Sequence, residues 1–156
     1  MKSLGTLIAV KDMEKSKQFY NDVLGLTVVN DFGANVELTG GIFLQTVETW
    51  KYFILKRRAN DVVFGNHASE LCFEADDIDS FAKKLESFYI FYVHRLIEHD
   101  WGQKVIRFYD PDNHIIEVGE NIIAVIKRFI KSGLSIEETA QRMDVSVDYI
   151  KSRLGL

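Results

Sequence analysis

Val10-Lys11-Asp12-Met13-Glu14 closes a short apolar run and opens a helix, and Ala75-Asp76-Asp77-Ile78-Asp79 does the same 65 positions later (77 − 12). Working outward from the first, Leu4 to Val10 is an apolar run of strand length. Met13, Ser16, Phe19, Tyr20, Val23 and Leu24 then recur at helical spacing. Asp12 is placed to cap that helix, and Gly25 stands where a left-handed residue stops one. Three extended segments follow, Leu26 to Asn30, Asn35 to Leu38 and Gly41 to Val47, separated by Phe32-Gly33 and Thr39-Gly40-Gly41. This is a βαβββ unit.

The order repeats. Glu70 to Ala75 reads as a strand, and Asp77 caps a helix built on Ile78, Phe81, Ala82 and Leu85. Strands follow near Ile90 to Ile97, Lys104 to Tyr109 and His114 to Val118. The first strands set Gly5 opposite Glu70. Matching the last strands sets Gln45 opposite Glu117 at an offset of 72 (117 − 45), and the loop from Glu98 to Gly102 absorbs the seven extra residues.

Alternation turns Thr6, Ile8 and Val10, with Leu71, Phe73 and Ala75, toward the helices. It leaves Gly5, Leu7 and Ala9, with Glu70, Cys72 and Glu74, on the opposite face, where Gln45, Ile115 and Glu117 join them while Leu44 and Ile116 pack outward. The expected fold class is α+β: two βαβββ modules forming a curved mixed β-sheet cup, with equivalent positions converging in it.

The 156 residues suffice for one globular domain and a small appendage. Nineteen Lys and Arg against 23 Asp and Glu leave a net charge of −4, which gives no chain-wide footprint for nucleic acid. The single cysteine, Cys72, forms no internal bridge and implies a reducing compartment. No apolar run approaches the roughly 18 residues of a membrane span, so a cytoplasmic location is expected.

Val10 to Ser16, with Phe19-Tyr20-Asn21-Asp22-Val23-Leu24-Gly25-Leu26, resembles the first-helix pattern of the vicinal oxygen chelate superfamily. Phe108-Tyr109-Asp110-Pro111-Asp112-Asn113-His114-Ile115-Ile116-Glu117 resembles its final DPDG hairpin, which leads to a metal-binding Glu. That superfamily contains glyoxalase I, extradiol dioxygenases and the fosfomycin and bleomycin resistance proteins. The resemblance covers about residues 3 to 119, so a glyoxalase-like domain over 1–119 and a helical extension over 120–156 are expected.

Metalloenzymes of the superfamily draw ligands from positions that correspond here to Gly5, Gln45, Glu70 and Glu117. Gly5 has no side chain, Glu70 stands where His is usual, and Gln45 is a neutral donor. The resemblance thus implies an all-oxygen metal set of Gln45, Glu70 and Glu117, suited to Mg²⁺, Mn²⁺ or Ca²⁺ better than to Zn²⁺ or Fe. In that case the protein is a metal-assisted lyase or isomerase, with Glu117 as the first choice of base and Glu70 the second, removing a proton next to a carbonyl. Without an ion, two facing carboxylates raise one another's pKa, unless Arg107, Lys104 or a backbone donor pairs with them. The alternative is a non-catalytic protein that binds a small molecule, such as an antibiotic, in the cup.

His94, Glu98, His99, Trp101, Gln103 and Arg107 are the candidate substrate-binding residues, from a strand end and the loop after it. His99 is also a replacement for the missing ligand if the loop folds inward. Cys72 reads as core filler despite sharing a face with Glu70. His67 reads as a turn residue and His114 as pointing away from the cup. Trp50, Tyr52 and Phe53 lie in a connector and are expected to pack structurally.

Beyond Glu117, Ile122, Val125, Ile126, Phe129 and Ile130 form a helical stripe with Gly133 as its stop. Ser135-Ile136-Glu137-Glu138 is a capping-box pattern for a second helix, and Ser146 caps a third over Val147 to Leu154. The last two resemble a helix-turn-helix. However, the final helix offers only Lys151 and Arg153, so DNA is not an expected partner. The expected partners are a small-molecule ligand and a second copy in a homodimer.

Overall fold

The computed structural model describes residues 1–56, 58 and 61–156, and the chain divides into two compact units. The first comprises Met1–Ser69 and Tyr109–His114, the second Glu70–Phe108 and Ile115–Leu156. Both follow the expected strand–helix–three-strand order.

In the first unit, β1 (Thr6–Val10) leads to α1 (Met13–Leu24), then β2 (Val28–Asp31), β3 (Asn35–Leu38) and β4 (Ile42–Thr46). The sheet order is β1-β4-β3-β2, with β1 parallel to β4 and the other pairs antiparallel. Asp12 caps α1 by accepting from the Lys15 amide at 3.0 Å, and Gly25 ends it at φ 72°. Val10, Tyr20, Val23, Val36, Leu38 and Leu44 are buried as its core.

The connector after β4 begins as a helix, α2 (Val47–Phe53), whose Tyr52 and Phe53, expected to pack, are exposed. Its Thr49 hydroxyl accepts from the Gln45 amide, a local contact that hydropathy does not encode. Gly5 sits at φ +144°, and a Cβ there would be driven into the Gly41 carbonyl. The site of the missing ligand therefore has no room for any side chain.

The second unit repeats the arrangement with β5 (Glu70–Ala75), α3 (Ile78–Leu85), β6 (Tyr92–Glu98), β7 (Lys104–Tyr109) and β8 (Ile115–Glu120). Its sheet order is β5-β8-β7-β6, with β5 parallel to β8. Asp77 caps α3 as Asp12 caps α1, accepting from the Ser80 amide at 2.9 Å. Phe81 of α3 packs on Phe108, so Ile106 and Phe108 line the α3 face and Arg107 turns from it.

The ladder registers revise one expected equivalence. With the caps matched at an offset of 65, Leu7 corresponds to Cys72. Leu7 pairs with Phe43 and Cys72 pairs with Glu117. By register, the counterpart of Glu117 is therefore Phe43, and Gln45, which pairs with Ala9, corresponds to Gly119. Matching by residue type had shifted the last strand by two.

Three helices complete the second unit: α4 (Ile122–Lys131), α5 (Ile136–Arg142) and α6 (Val147–Leu154). Asn121 caps α4, Ser135 and Glu138 form the expected capping box on α5, and Ser146 caps α6. Val125, Ile126, Phe129, Ala140, Met143 and Ile150 make a core of their own.

These helices also hold the β6–β7 loop. Arg128 donates to the Gly102 carbonyl at 2.5 Å and Arg142 donates to the Asp100 carbonyl. The Phe129 ring fills the space where a Cβ of Gly102 would stand. Among the described residues, no helix is long and apolar enough to cross a membrane.

Candidate functional site

Four neighbouring strands of the second sheet set a polar row on the face turned from α3. The ladder pairs Cys72 of β5 with Glu117 of β8, and Arg107 of β7 with His94 of β6. Glu70 lies two residues before Cys72, on the same face. The order β5-β8-β7-β6 makes these side chains neighbours across the sheet.

Arg107 is the hub. Its Nε donates to Glu70 Oε2 at 2.9 Å, and its Nη2 donates to Glu117 Oε2. Its Nη1 lies 3.2 Å from His94 Nε2. A guanidinium only donates, so Nε2 accepts; His94 Nδ1, 2.8 Å from the Arg95 carbonyl, must then carry the ring proton. The geometry is that of a neutral imidazole. One cation and two carboxylates leave the row with a net charge of −1.

Arg107 also decides the electrostatics. Its hydrogen bond and charge hold the Glu70 carboxyl below its ordinary value against the opposing effect of burial. The expected mutual raising of the two carboxylates does not extend to Glu70, where the hydrogen bond and charge of Arg107 outweigh burial. Lys104 takes no part and pairs instead with Asp79 at 2.7 Å.

Cys72, expected in the core, is exposed, with Sγ 3.9 Å from Glu70 Oε1. Burial and then the charges of Glu117 and Glu70 push its thiol up, which keeps it protonated. The alternation that placed it beside Glu70 was the usable signal.

Glu70, Cys72 and Glu117 each offer one ligand-type atom, all within 4.8 Å of one another. These residues do not fit a resident divalent cation as they stand. Each carboxylate bonds its Oε2 to a guanidinium that cannot lose its proton, which sets a permanent positive charge among the donors. Gln45 lies in the first unit, buried, with Oε1 accepting from Asn35 at 2.8 Å and Nε2 donating to Thr49.

Of the six candidate substrate-binding residues, the structure gathers His94 and Arg107 with the carboxylates. Glu98, His99 and Gln103 lie four or five residues further along the chain, roughly 13–17 Å away by strand rise, and Trp101 lies in the loop between them. There the His99 and Trp101 rings stack at 4.2 Å, and Trp101 Nε1 donates to Gln103 Oε1 at 3.1 Å. Gln103 Nε2 donates to the Glu120 carbonyl at 2.8 Å. Glu98 lies 3.7 Å from both Arg128 and Arg142. His67 Nε2 lies 3.2 Å from the Tyr109 hydroxyl, and His114 Nε2 lies 2.8 Å from the Ala9 carbonyl.

Two successive βαβββ units, each closing a parallel pair between its first and last strands, define the vicinal oxygen chelate class. A family model described as a glyoxalase-like domain matches residues 4–123, and the chain belongs to that family. It is 35% identical to a protein of unknown function from Agrobacterium tumefaciens str. C58, with a TM-score of 0.70 over 78% of this chain and 94% of that one. It is 25% identical to a lactoylglutathione lyase from Agrobacterium tumefaciens, with a TM-score of 0.60 over 77% of this chain and 93% of that one. A glyoxalase-related enzyme from Fulvimarina pelagi shares the fold at 16% identity, with a TM-score of 0.66 over 78% of this chain and 89% of that one. No curated protein matches the chain. The family match ends within α4, so α5 and α6 lie outside it.

Proposed function

We propose that this chain is a small-molecule-binding protein of the glyoxalase-like family, with its ligand held on the Arg107 row and no resident metal needed. The observation that carries the reading is Arg107 bonded at once to Glu70 and Glu117. A row of net charge −1, with carboxylate oxygens on offer, favours a small cationic ligand that donates hydrogen bonds, such as an amine-bearing antibiotic. Glu70 and Glu117 accept from the ligand, while Arg107 and His94 fix their orientation. On this reading Glu98, His99, Trp101 and Gln103 contribute from the loop, residues 1–119 form the binding domain, and the protein works in the cytoplasm as a homodimer.

Calorimetric titration with a panel of small amines and matched carboxylates, with and without chelator, tests it. Amine binding that survives chelator and weakens in Glu117→Gln is expected. Stoichiometric metal whose removal abolishes binding refutes it.

A second reading, a lyase or isomerase, is favoured by the adjacency of Glu117 to the Arg107 N–H groups and by the 25% identity to a lactoylglutathione lyase. Glu117 then takes a proton from the carbon beside a carbonyl, and Arg107 donates to the oxygen that gains the charge. Exchange of that carbon-bound hydrogen with solvent deuterium, lost in Glu117→Gln, distinguishes it from simple binding.

A further inference from the structure

We infer that Arg107 is a built-in cation that closes a three-donor divalent-metal position formed by Glu70, Cys72 and Glu117. The inference rests on reading this row as the functional site and goes further, by assigning the reason for metal independence to one side chain and a donor role to Cys72.

Donor atoms held about 2–2.6 Å from one ion lie no more than roughly 5 Å from each other. The oxygens of Glu70 and Glu117 and the Cys72 sulfur, all within 4.8 Å, already satisfy that spacing. Three donors from two adjacent strands therefore converge without rearrangement of the sheet, since Cys72 and Glu117 are ladder partners. What they lack is freedom. Arg107 reaches across from β7 and bonds one oxygen of each carboxylate. An ion at this position would lie a few ångströms from a permanent positive charge and would have to break two charge-assisted hydrogen bonds. Arginine keeps its proton at every pH at which the protein folds, so the obstruction is not a matter of conditions.

The sulfur sets which ion the position would take. Two carboxylates alone suit hard cations that keep most of their water, whereas a thiol that ionises on metal binding adds a soft donor and moves the preference toward Co²⁺ and Zn²⁺. Removing Arg107 thus opens a site whose metal preference differs from that of an all-oxygen set.

The test titrates cobalt(II) into the full chain and into Arg107→Met, Arg107→Gln and Arg107→Lys, with circular dichroism to verify folding. Met keeps the aliphatic stem, Gln keeps a neutral donor, and Lys keeps the charge. The wild type and Arg107→Lys are expected to stay at background. Arg107→Met, Arg107→Gln or both are expected to take up one equivalent, with affinity gained about a hundredfold or more from the loss of the positive charge alone. A thiolate-to-cobalt charge-transfer band should accompany binding and vanish when Cys72→Ser is added.

Wild-type protein that binds one equivalent as tightly as the charge-removed variants overturns the inference, because Arg107 then excludes nothing. Folded Arg107→Met and Arg107→Gln that both stay at background overturn it as well, because the three donors then form no site. Neither result bears on the amine titration, so this inference and the binding reading fail separately.

Discussion

The Tyr20 hydroxyl donates to Asp110 Oδ2 across 2.9 Å, joining two buried side chains that are 90 positions apart in the chain. Tyr20 belongs to the first-helix pattern and Asp110 opens the Asp-Pro-Asp-Asn hairpin, so this hydrogen bond joins the two family motifs. The other oxygen of Asp110 accepts from the Asp112 and His114 amides at 2.9 and 2.8 Å, and Asp112 accepts from the Lys11 amide at 3.0 Å. Asn113 takes φ 68° where the family pattern has glycine, a conformation that Asn tolerates better than most residues.

Replacing Tyr20 with Phe removes a donor from a buried carboxylate and should cost about 1–3 kcal/mol in urea unfolding. Burial raises the Asp110 carboxyl above its ordinary value, while the Tyr20 bond opposes that rise. Stability tied to the raised value is present below the unfolded pKa and is lost as pH climbs through the folded one. The deficit of Tyr20→Phe should therefore widen above that value, where Asp110 is charged, and narrow in acid. A deficit independent of pH would assign the loss to packing alone.

Glu70 gives the opposite sign. Arg107 holds its carboxyl below the ordinary value, so its contribution is present above the unfolded pKa and is lost as pH falls through the depressed folded value. Arg107→Met should remove this acid-side dependence. Acid unfolding curves of wild type and variant that differ only by a constant offset would contradict the assignment.

Restoring a ligand residue at position 5 should fail. Gly5→His places a Cβ against the Gly41 carbonyl at a φ that L residues rarely adopt, which should cost about 1–3 kcal/mol of backbone strain. The variant should melt lower and bind no additional metal; an unchanged melting temperature would show that the strand end adjusts freely.

The added helices should govern the β6–β7 loop. Gly102→Ala combines φ 88° with a clash against the Phe129 ring, and about 1–3 kcal/mol of destabilisation is expected from overpacking. Arg142→Ala removes the bond to the Asp100 carbonyl and the ion pair with Glu98. In a Trp50→Phe background, Trp101 fluorescence should become more accessible to acrylamide in Arg142→Ala, with little change in the unfolding midpoint. Identical quenching in the two proteins would mean that the loop holds its own shape.

Much of the architecture is legible along the chain because caps, glycine stops and alternation are local. Asp12, Asp77, Ser135 and Ser146 cap helices as their spacing implies. The seam between β4 and α2 is less so, since Val47 suits a strand as well as a helix and the turn into α2 is marked by contacts of Thr49 with Gln45 and Thr46. The candidate site divides in the same way. Alternation brings Glu70, Cys72 and Glu117 to one face, whereas residue type puts Cys72 in the core and sets Gln45 opposite Glu117.

The repeated unit, the capped helices and the facing of each strand are written along the chain, because each rests on contacts within a few residues. Tertiary contacts alone set Arg107 between the two carboxylates, make Phe43 the register equivalent of Glu117, and let Arg128 and Arg142 hold the loop. Those outcomes depend on strand order and ladder register, which bring together residues tens of positions apart, and no local preference records them.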